Sequence, residues 1–108
     1  MKKRQIVAQG DLLFIPVDRL PKGAVRRSVQ GSRHILAEGE VTGHNHTIVA
    51  EKVEVYDAAE AVFAKIMGSV AAPVEHQEHA PTVLDPGVWE VRRQVAYSPD
   101  QLPQRVVD

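Results

Sequence analysis

Glycine and proline interrupt this sequence so often that its apolar stretches are all short. Seven residues of each type are spread across the 108 positions, and no internal repeat or low-complexity tract is present. Short segments rich in β-branched residues and bounded by turn formers are typical of strands. Only 5% of the residues are aromatic, so Val, Ile, Leu and Ala must form the core. We therefore predict an all-β fold, a small single-domain barrel or sandwich with at most one short helix.

The clearest strands are predicted near the two ends of the chain. Residues 11–17 (DLLFIPV) indicate a buried strand, with Pro16 near its end or at a sheet edge. Residues 88–97 (VWEVRRQVAY) alternate, which places Trp89, Val91 and Arg93 on one face. Further strands are predicted over 33–41, 46–50 and 52–56, with a strand and turn over 81–87 and an exposed loop over 18–32.

Length and composition limit the classes of protein to consider. The chain is long enough for one domain, and we assign residues 1–108 to a single β-rich domain with an extended C-terminal arm over 98–108. The net charge of −1 excludes a strongly basic nucleic-acid-binding protein. Cysteine is absent, which excludes disulfides, thiolate metal sites and a cysteine nucleophile.

The N-terminal residues are basic, as in the first part of a signal peptide. The stretch that follows is interrupted by Gln9, Gly10 and Asp11, so no apolar run of the required length is present. The sequence therefore predicts neither a signal peptide nor a membrane span. We expect a cytoplasmic protein without a membrane partner.

Histidine provides the main indication of chemistry, because four of the five histidines form two close pairs. His44 and His46 are two residues apart, so in an extended strand their side chains share a face with Cβ atoms about 6–7 Å apart. His76 and His79 are three residues apart and converge in a turn or a helical turn. His34 stands alone, and we expect it to be a structural or surface residue.

Together the two pairs offer up to four imidazole ligands for one divalent metal ion. Imidazole and carboxylate ligands suit Zn, Fe, Mn or Ni, and nearby carboxylates are present at Glu38, Glu40, Glu51, Glu75 and Glu78. The ligand set that we predict is His44, His46, His76, His79 and Glu51. This set requires a fold that brings the two histidine pairs together.

The first pair resembles the first motif of the cupin family. His44-Asn45-His46 is followed after four residues by Glu51, as in that motif, although the upstream glycine is one place off at Gly39. The second cupin motif is not matched, because the turn at 85–87 is not followed by a histidine. The resemblance implies a divalent metal ion held by the first motif, and hence a metal-binding protein or a metal-dependent enzyme acting on a small-molecule substrate.

A longer resemblance is to small bacterial and phage-type proteins, and it covers most of the chain. The matching segments are GDLLFIPV at 10–17, EGEVTGHNH at 38–46 and HQEHAPTVLDPGVWEVRRQVAY at 76–97. The resemblance implies no particular activity. In such proteins the segment before the HxxH looks like a strand. We therefore predict a strand over 61–67, although Asp57 and Glu60 also fit the capping box of a helix.

A second hypothesis is a ribonuclease that needs no metal ion. Among His44, His46 and His79, a neutral imidazole would remove the 2′-hydroxyl proton of RNA and a protonated one would donate to the leaving 5′-oxygen. Arg93 would stabilise the charge on the phosphate. The basic loop over 19–33 would contact the RNA backbone.

The sequence leaves open where Arg93 points and whether the protein is an enzyme. Arg93 either points into a pocket or is returned to solvent with Arg92 by a β-bulge. The protein is alternatively a non-enzymatic β-barrel interaction module, in which an exposed edge strand would favour a homodimer.

Overall fold

The computed structural model describes residues 4–29, 31–38, 45–59, 61–77, 79–93, 95–97 and 103–105. Every regular element among them is a β-strand. The strands are β1 (Val7–Gln9), β2 (Leu12–Val17), β3 (Val25–Arg26), β4 (Arg33–Glu38), β5 (Asn45–Val49), β6 (Val53–Ala58), β7 (Ala61–Ile66), β8 (Ala72–Glu75), β9 (Thr82–Leu84), β10 (Gly87–Arg93), β11 (Val95–Tyr97) and β12 (Pro103–Arg105). The predicted all-β fold is confirmed. Across the described residues, no helix is long and apolar enough to cross a membrane.

The strands form two main antiparallel sheets. One has the order β1-β2-β10-β7-β6-β3 and the other the order β4-β5-β8-β9, while β11 and β12 pair separately. The residues shared by the core come from both main sheets: Leu12, Phe14, Leu36, Ile48, Val53, Val55, Ala64, Ile66, Ala72, Val74, Leu84, Trp89 and Val91. Short segments and small aliphatic side chains therefore produce a domain whose core lies between the sheets, as expected for a sandwich or barrel.

Strand β10 has the alternation that the sequence predicts. Trp89 and Val91 are buried, and the indole Nε1 of Trp89 donates a hydrogen bond to the backbone oxygen of Asp85 at 2.8 Å. Pro16 lies opposite Trp89, while β1 pairs with β2 only as far as Phe14. Pro16 is therefore at a local sheet edge on the β1 side of β2.

The segment over 57–68 contains the end of β6 and all of β7, the second strand of a hairpin, and its described residues form no helix. β6 and β7 pair from Val53 opposite Ile66 to Ala58 opposite Ala61. The strand prediction is confirmed, and the capping-box alternative is wrong because the tight turn after Ala58 returns the chain along β6. Two details differ from the sequence analysis. The predicted loop over 18–32 contains the short strand β3, and Pro103–Arg105 of the C-terminal arm pairs with β11.

Arg27 connects the edges of the two main sheets. Its guanidinium donates to both carboxylate oxygens of Asp57, with Nη2–Oδ1 at 2.6 Å and Nε–Oδ2 at 3.1 Å, and Nη1 donates to the backbone oxygen of Ile35 at 2.8 Å. The hydrogen bond from Arg27 holds the pKa of the Asp57 carboxyl below its ordinary value of 3.8. This ion pair therefore stabilises the fold only while Asp57 is ionised.

We expect Asp57→Asn to lower the free energy of unfolding at neutral pH by less than about 1 kcal/mol, because solvent screens a half-exposed pair. The lowered pKa means that the contribution is fully present above pH 3.8 and is lost as the pH falls through the lower folded-state value. Urea unfolding of wild type and variant from neutral pH to below pH 3.8 measures this. Asp18→Asn, at an exposed turn, is the control. A difference between wild type and Asp57→Asn that persists at the acid end would contradict the prediction.

Candidate functional site

Three of the histidines meet at one end of the four-stranded sheet. The ring centroids of His46 and His76 are 4.4 Å apart, and those of His76 and His79 are 4.7 Å apart. His46 is completely buried and His76 is almost completely buried. The fold therefore brings members of the two sequence pairs together, as a shared site requires.

Strand register explains this meeting. β5 and β8 are antiparallel, with Thr47 opposite Glu75, so the next residues outward are His46 and His76. His79 then approaches through a turn, in which its backbone N–H donates to Nδ1 of His76 at 3.2 Å. The HxxH spacing is thus used in a turn and not in a helix. Because His76 Nδ1 accepts this bond, a neutral His76 ring carries its proton on Nε2.

Gln9, at the end of β1, determines the orientation and tautomer of His46. Its Nε2 lies 2.9 Å from the backbone oxygen of Val74 and 3.0 Å from that of Ala80. Since both carbonyl oxygens only accept, the atom facing them is the amide nitrogen, and Oε1 must act as an acceptor. His46 Nδ1 lies 2.9 Å from this Oε1 and therefore donates its proton to it. In the neutral ring, Nε2 then carries the lone pair.

Asp11 faces that lone pair. It occupies the second position of a two-residue hairpin loop between β1 and β2, after Gly10 with a φ of 56°. This φ favours glycine, and glycine is preferred at the first position of such loops. The Asp11 side chain is only 1% exposed, and its Oδ1 lies 3.5 Å from His46 Nε2. Asp11 Oδ1 and His46 Nε2 therefore approach each other in the protein interior, as the two members of an ion pair or two ligands of one cation do.

Arg93 approaches Asp11 from the last residue of β10. Its Nη1 donates to Asp11 Oδ2, and its side chain is 19% exposed. β10 pairs with β2 in unbroken register through Arg92 opposite Leu13 and Arg93 opposite Leu12. The proposed β-bulge at Arg92–Arg93 is therefore wrong: regular alternation directs Arg93 inward and leaves Arg92 exposed. We call Gln9, Asp11, His46, His76, His79 and Arg93 the polar centre.

The polar centre does not include the other residues that the sequence predicted for the site. Glu51 lies in the exposed turn after β5, and the end of that strand at Val49 is already about 10 Å along the strand from His46. The structure therefore does not bring Glu51 to the polar centre. His34 is buried, with Nε2 at 3.3 Å from the backbone oxygen of Val53, which is a structural position. His44, Glu40, Glu78 and the side chain of Glu38 lie outside the described residues. Glu75 is exposed and forms an ion pair with Arg33 at 3.5 Å.

Two groups of the polar centre are separated by the distance expected between two ligands of one metal ion. Two nitrogen or oxygen ligands at about 2.1 Å from a tetrahedral ion are separated by about 3.4 Å, close to the 3.5 Å between His46 Nε2 and Asp11 Oδ1. Gln9 accepts the other ring N–H of His46, as the outer partners of metal-bound histidines do. In the described part of the chain no group of three or more His, Asp or Glu side chains is arranged to hold an ion. The structure thus provides a pair of candidate ligands, and a full set needs at least one more.

A cleft of about 670 Å³ lies beside the polar centre. Leu12 and Arg93 line it, and they are the sequence neighbour and the ion-pair partner of Asp11. Ala37 also lines it and is the strand partner of His46 across β4 and β5. We call the end of the cleft that Leu12, Ala37 and Arg93 line its inner end. Through these neighbours it lies next to both candidate metal ligands, Asp11 and His46.

Sequence reasoning missed Gln9 and Asp11. In the sequence both residues only interrupt an apolar stretch, and neither lies near a histidine that would indicate its role. One signal was present. Gly10-Asp11 begins the GDLLFIPV segment of the longer resemblance, and a fixed Gly-Asp pair before a buried strand indicates a tight turn.

Comparisons with known proteins assign the chain to a family. No curated protein and no solved structure matches it. The model of a domain of unknown function, DUF8820, matches residues 8–94. The matched segment contains every residue of the polar centre, from Gln9 to Arg93. The chain therefore belongs to the DUF8820 family.

Proposed function

We propose that this protein binds a divalent metal ion at the polar centre, with His46 Nε2 and Asp11 Oδ1 as ligands. The observation that carries the proposal is their approach to 3.5 Å with the proton of His46 committed to Gln9. An imidazole nitrogen and a carboxylate oxygen are both ligands that divalent metal ions such as zinc accept. His44, two residues before His46, and His79 are the residues that we propose to complete the ligand set.

The remaining residues of the centre support this role. Gln9 holds His46 in the tautomer that presents Nε2, and Arg93 holds one oxygen of Asp11 so that the other faces His46. His76 Nδ1 already accepts the His79 amide, so a neutral His76 presents a donor at Nε2 and is suited to hydrogen bonding. A bound divalent ion would supply Lewis acidity or an activated water molecule to a small substrate.

Metal uptake by untagged protein tests the proposal. Elemental analysis, followed by calorimetric titration of EDTA-treated protein with Zn, Mn and Ni salts, should show stoichiometric binding of at least one ion. Asp11→Asn keeps the shape of the side chain and removes the charge. It should lower affinity by more than the about 10–100-fold that loss of an outer partner costs.

Glu51→Gln is the matched control, because the cupin resemblance and the structure make opposite predictions for it. The structure places Glu51 beyond the far end of β5, so Glu51→Gln should bind metal like wild type. If wild type takes up no metal, the proposal fails. It also fails if Glu51→Gln loses metal while Asp11→Asn retains it, with circular dichroism showing that both are folded.

The metal-independent ribonuclease is a second candidate. The adjacent rings of His46 and His76 favour it, because in their neutral forms His46 presents an acceptor at Nε2 and His76 presents a donor at Nε2. Burial weakens this candidate, since a general base must reach a 2′-hydroxyl within hydrogen-bonding distance and His46 is fully buried. RNA cleavage in EDTA that leaves a 2′,3′-cyclic phosphate and is lost in His79→Ala would favour this candidate over the metal site.

A further inference from the structure

The cleft beside the polar centre has the size and surface of a ligand site. At about 670 Å³ it lies within the range of small-molecule pockets. Its partly exposed apolar lining consists of Ala58, Ala61 and Val62 near the β6–β7 turn, while Leu12 and Val91 beneath them are buried. Ala58, Ala61 and Val62 offer an apolar surface to the body of a ligand.

Among the described residues, the charged side chains that line the cleft form ion pairs. Asp57 forms its bidentate pair with Arg27, and Glu90 forms an ion pair with Arg92, its neighbour but one on β10. Arg93, the other charged residue of the described lining, is paired with Asp11 at the inner end. Those two charges cancel in the metal-free protein.

A divalent ion on Asp11 changes that balance. The charges of the ion, Asp11 and Arg93 then sum to a net positive charge at the inner end of the cleft. The Arg93 guanidinium lines the cleft and is a planar group suited to carboxylate or phosphate. The inner end of the metal-loaded cleft should therefore attract an anion.

We propose that the cleft binds a small amphiphilic anion, with its apolar body against Ala58, Ala61 and Val62 and its carboxylate or phosphate head group against Arg93. This inference rests on the proposed function, because the bound metal supplies the excess positive charge. Metal and anion binding are then coupled, each strengthening the other by the same factor.

Amide chemical shifts in NMR titrations test the inference on the full chain. The probes are hexanoate and hexyl phosphate as the anions, and hexylamine as a cation with the same body. Zinc uptake is first measured by calorimetry on the same sample. In zinc-loaded protein at least one anion should give saturable shifts at Ala37, Ala61 and Val91, about tenfold or more tighter than in zinc-free protein, whereas hexylamine should not. The tighter of the two anions identifies the head group.

Ala61→Trp should block the cleft, abolishing anion binding while zinc uptake is retained. Ala59→Trp, in the same hairpin turn but outside the described lining, is the matched control and should bind the anion normally. Zinc-loaded protein that binds no anion, binds hexylamine equally well, or binds anions unchanged in Ala61→Trp would overturn this inference alone. Protein that takes up none of Zn, Mn and Ni would overturn the proposed function, and with it the charge on which anion binding depends.

Discussion

Asp11→Ala is expected to lower the free energy of unfolding of the metal-free protein by about 3 kcal/mol. Asp11 is 1% exposed and Arg93 is 19% exposed, so removal of the carboxylate leaves a largely buried guanidinium without its anion. Partial exposure of Arg93 keeps the effect at the lower end of the range for broken buried pairs. Urea unfolding at neutral pH in EDTA measures the loss without any contribution from metal binding.

A double-mutant cycle shows whether the loss belongs to the ion pair. Arg93→Met keeps the apolar stem and removes the charge, so the double variant should be more stable than the sum of the single losses by about 1.5 kcal/mol or more. Glu90→Ala with Arg92→Met is the control cycle. The Arg92 side chain is 62% exposed, so the coupling energy between Glu90 and Arg92 should stay below about 1 kcal/mol. Additive losses for Asp11→Ala and Arg93→Met would contradict the prediction.

Gln9→Leu is expected to cost about 3 kcal/mol, because two buried groups and one partly buried group lose their hydrogen-bond partner. These groups are Nδ1–H of His46 and the backbone oxygens of Val74 and Ala80. Leucine has a similar size, so the loss reports hydrogen bonding more than packing. The same variant should also release His46 from its Nδ1–H tautomer, which ¹⁵N NMR of the imidazole detects directly.

Gln9→Glu separates the two effects. Its carboxylate still accepts the proton from His46 Nδ1, so the tautomer should be retained. It cannot donate to Val74 or Ala80, so the free energy of unfolding should still fall. If His46 keeps the Nδ1–H tautomer in Gln9→Leu, then Gln9 does not control it, and this account of the polar centre is wrong.

The fold was largely predictable because the local patterns are strong. Alternation in β10 identified its inner face, and the short apolar segments between turns identified most strands. Burial of one sheet face makes register follow the hydrophobic pattern, so these features are readable from the sequence. The ambiguous segment over 57–68 had helical spacing as well, and the packing of β7 between β6 and β10 decided it.

The site was only partly predictable, because its members come from distant parts of the chain. The histidine pairs stood out by spacing, and Arg93 by its position on an apolar face. Gln9 and Asp11 act on His46 across the interface between the two sheets, and no local sequence pattern indicates such a contact. Glu51 fitted a sequence motif, but the turn after β5 directs it away from the centre.

Strand β1 also joins the two sheets at the polar centre. It has three residues and lies at the edge of its sheet, yet its last residue, Gln9, bonds to backbone oxygens of the β8–β9 region across the interface. Short edge strands near a chain terminus open locally at a lower free energy than the core unfolds. Opening of β1 would expose His46 and withdraw Asp11 together. For the ion that we propose, exchange with solvent should therefore follow the fraying of this one short strand, while the core stays folded.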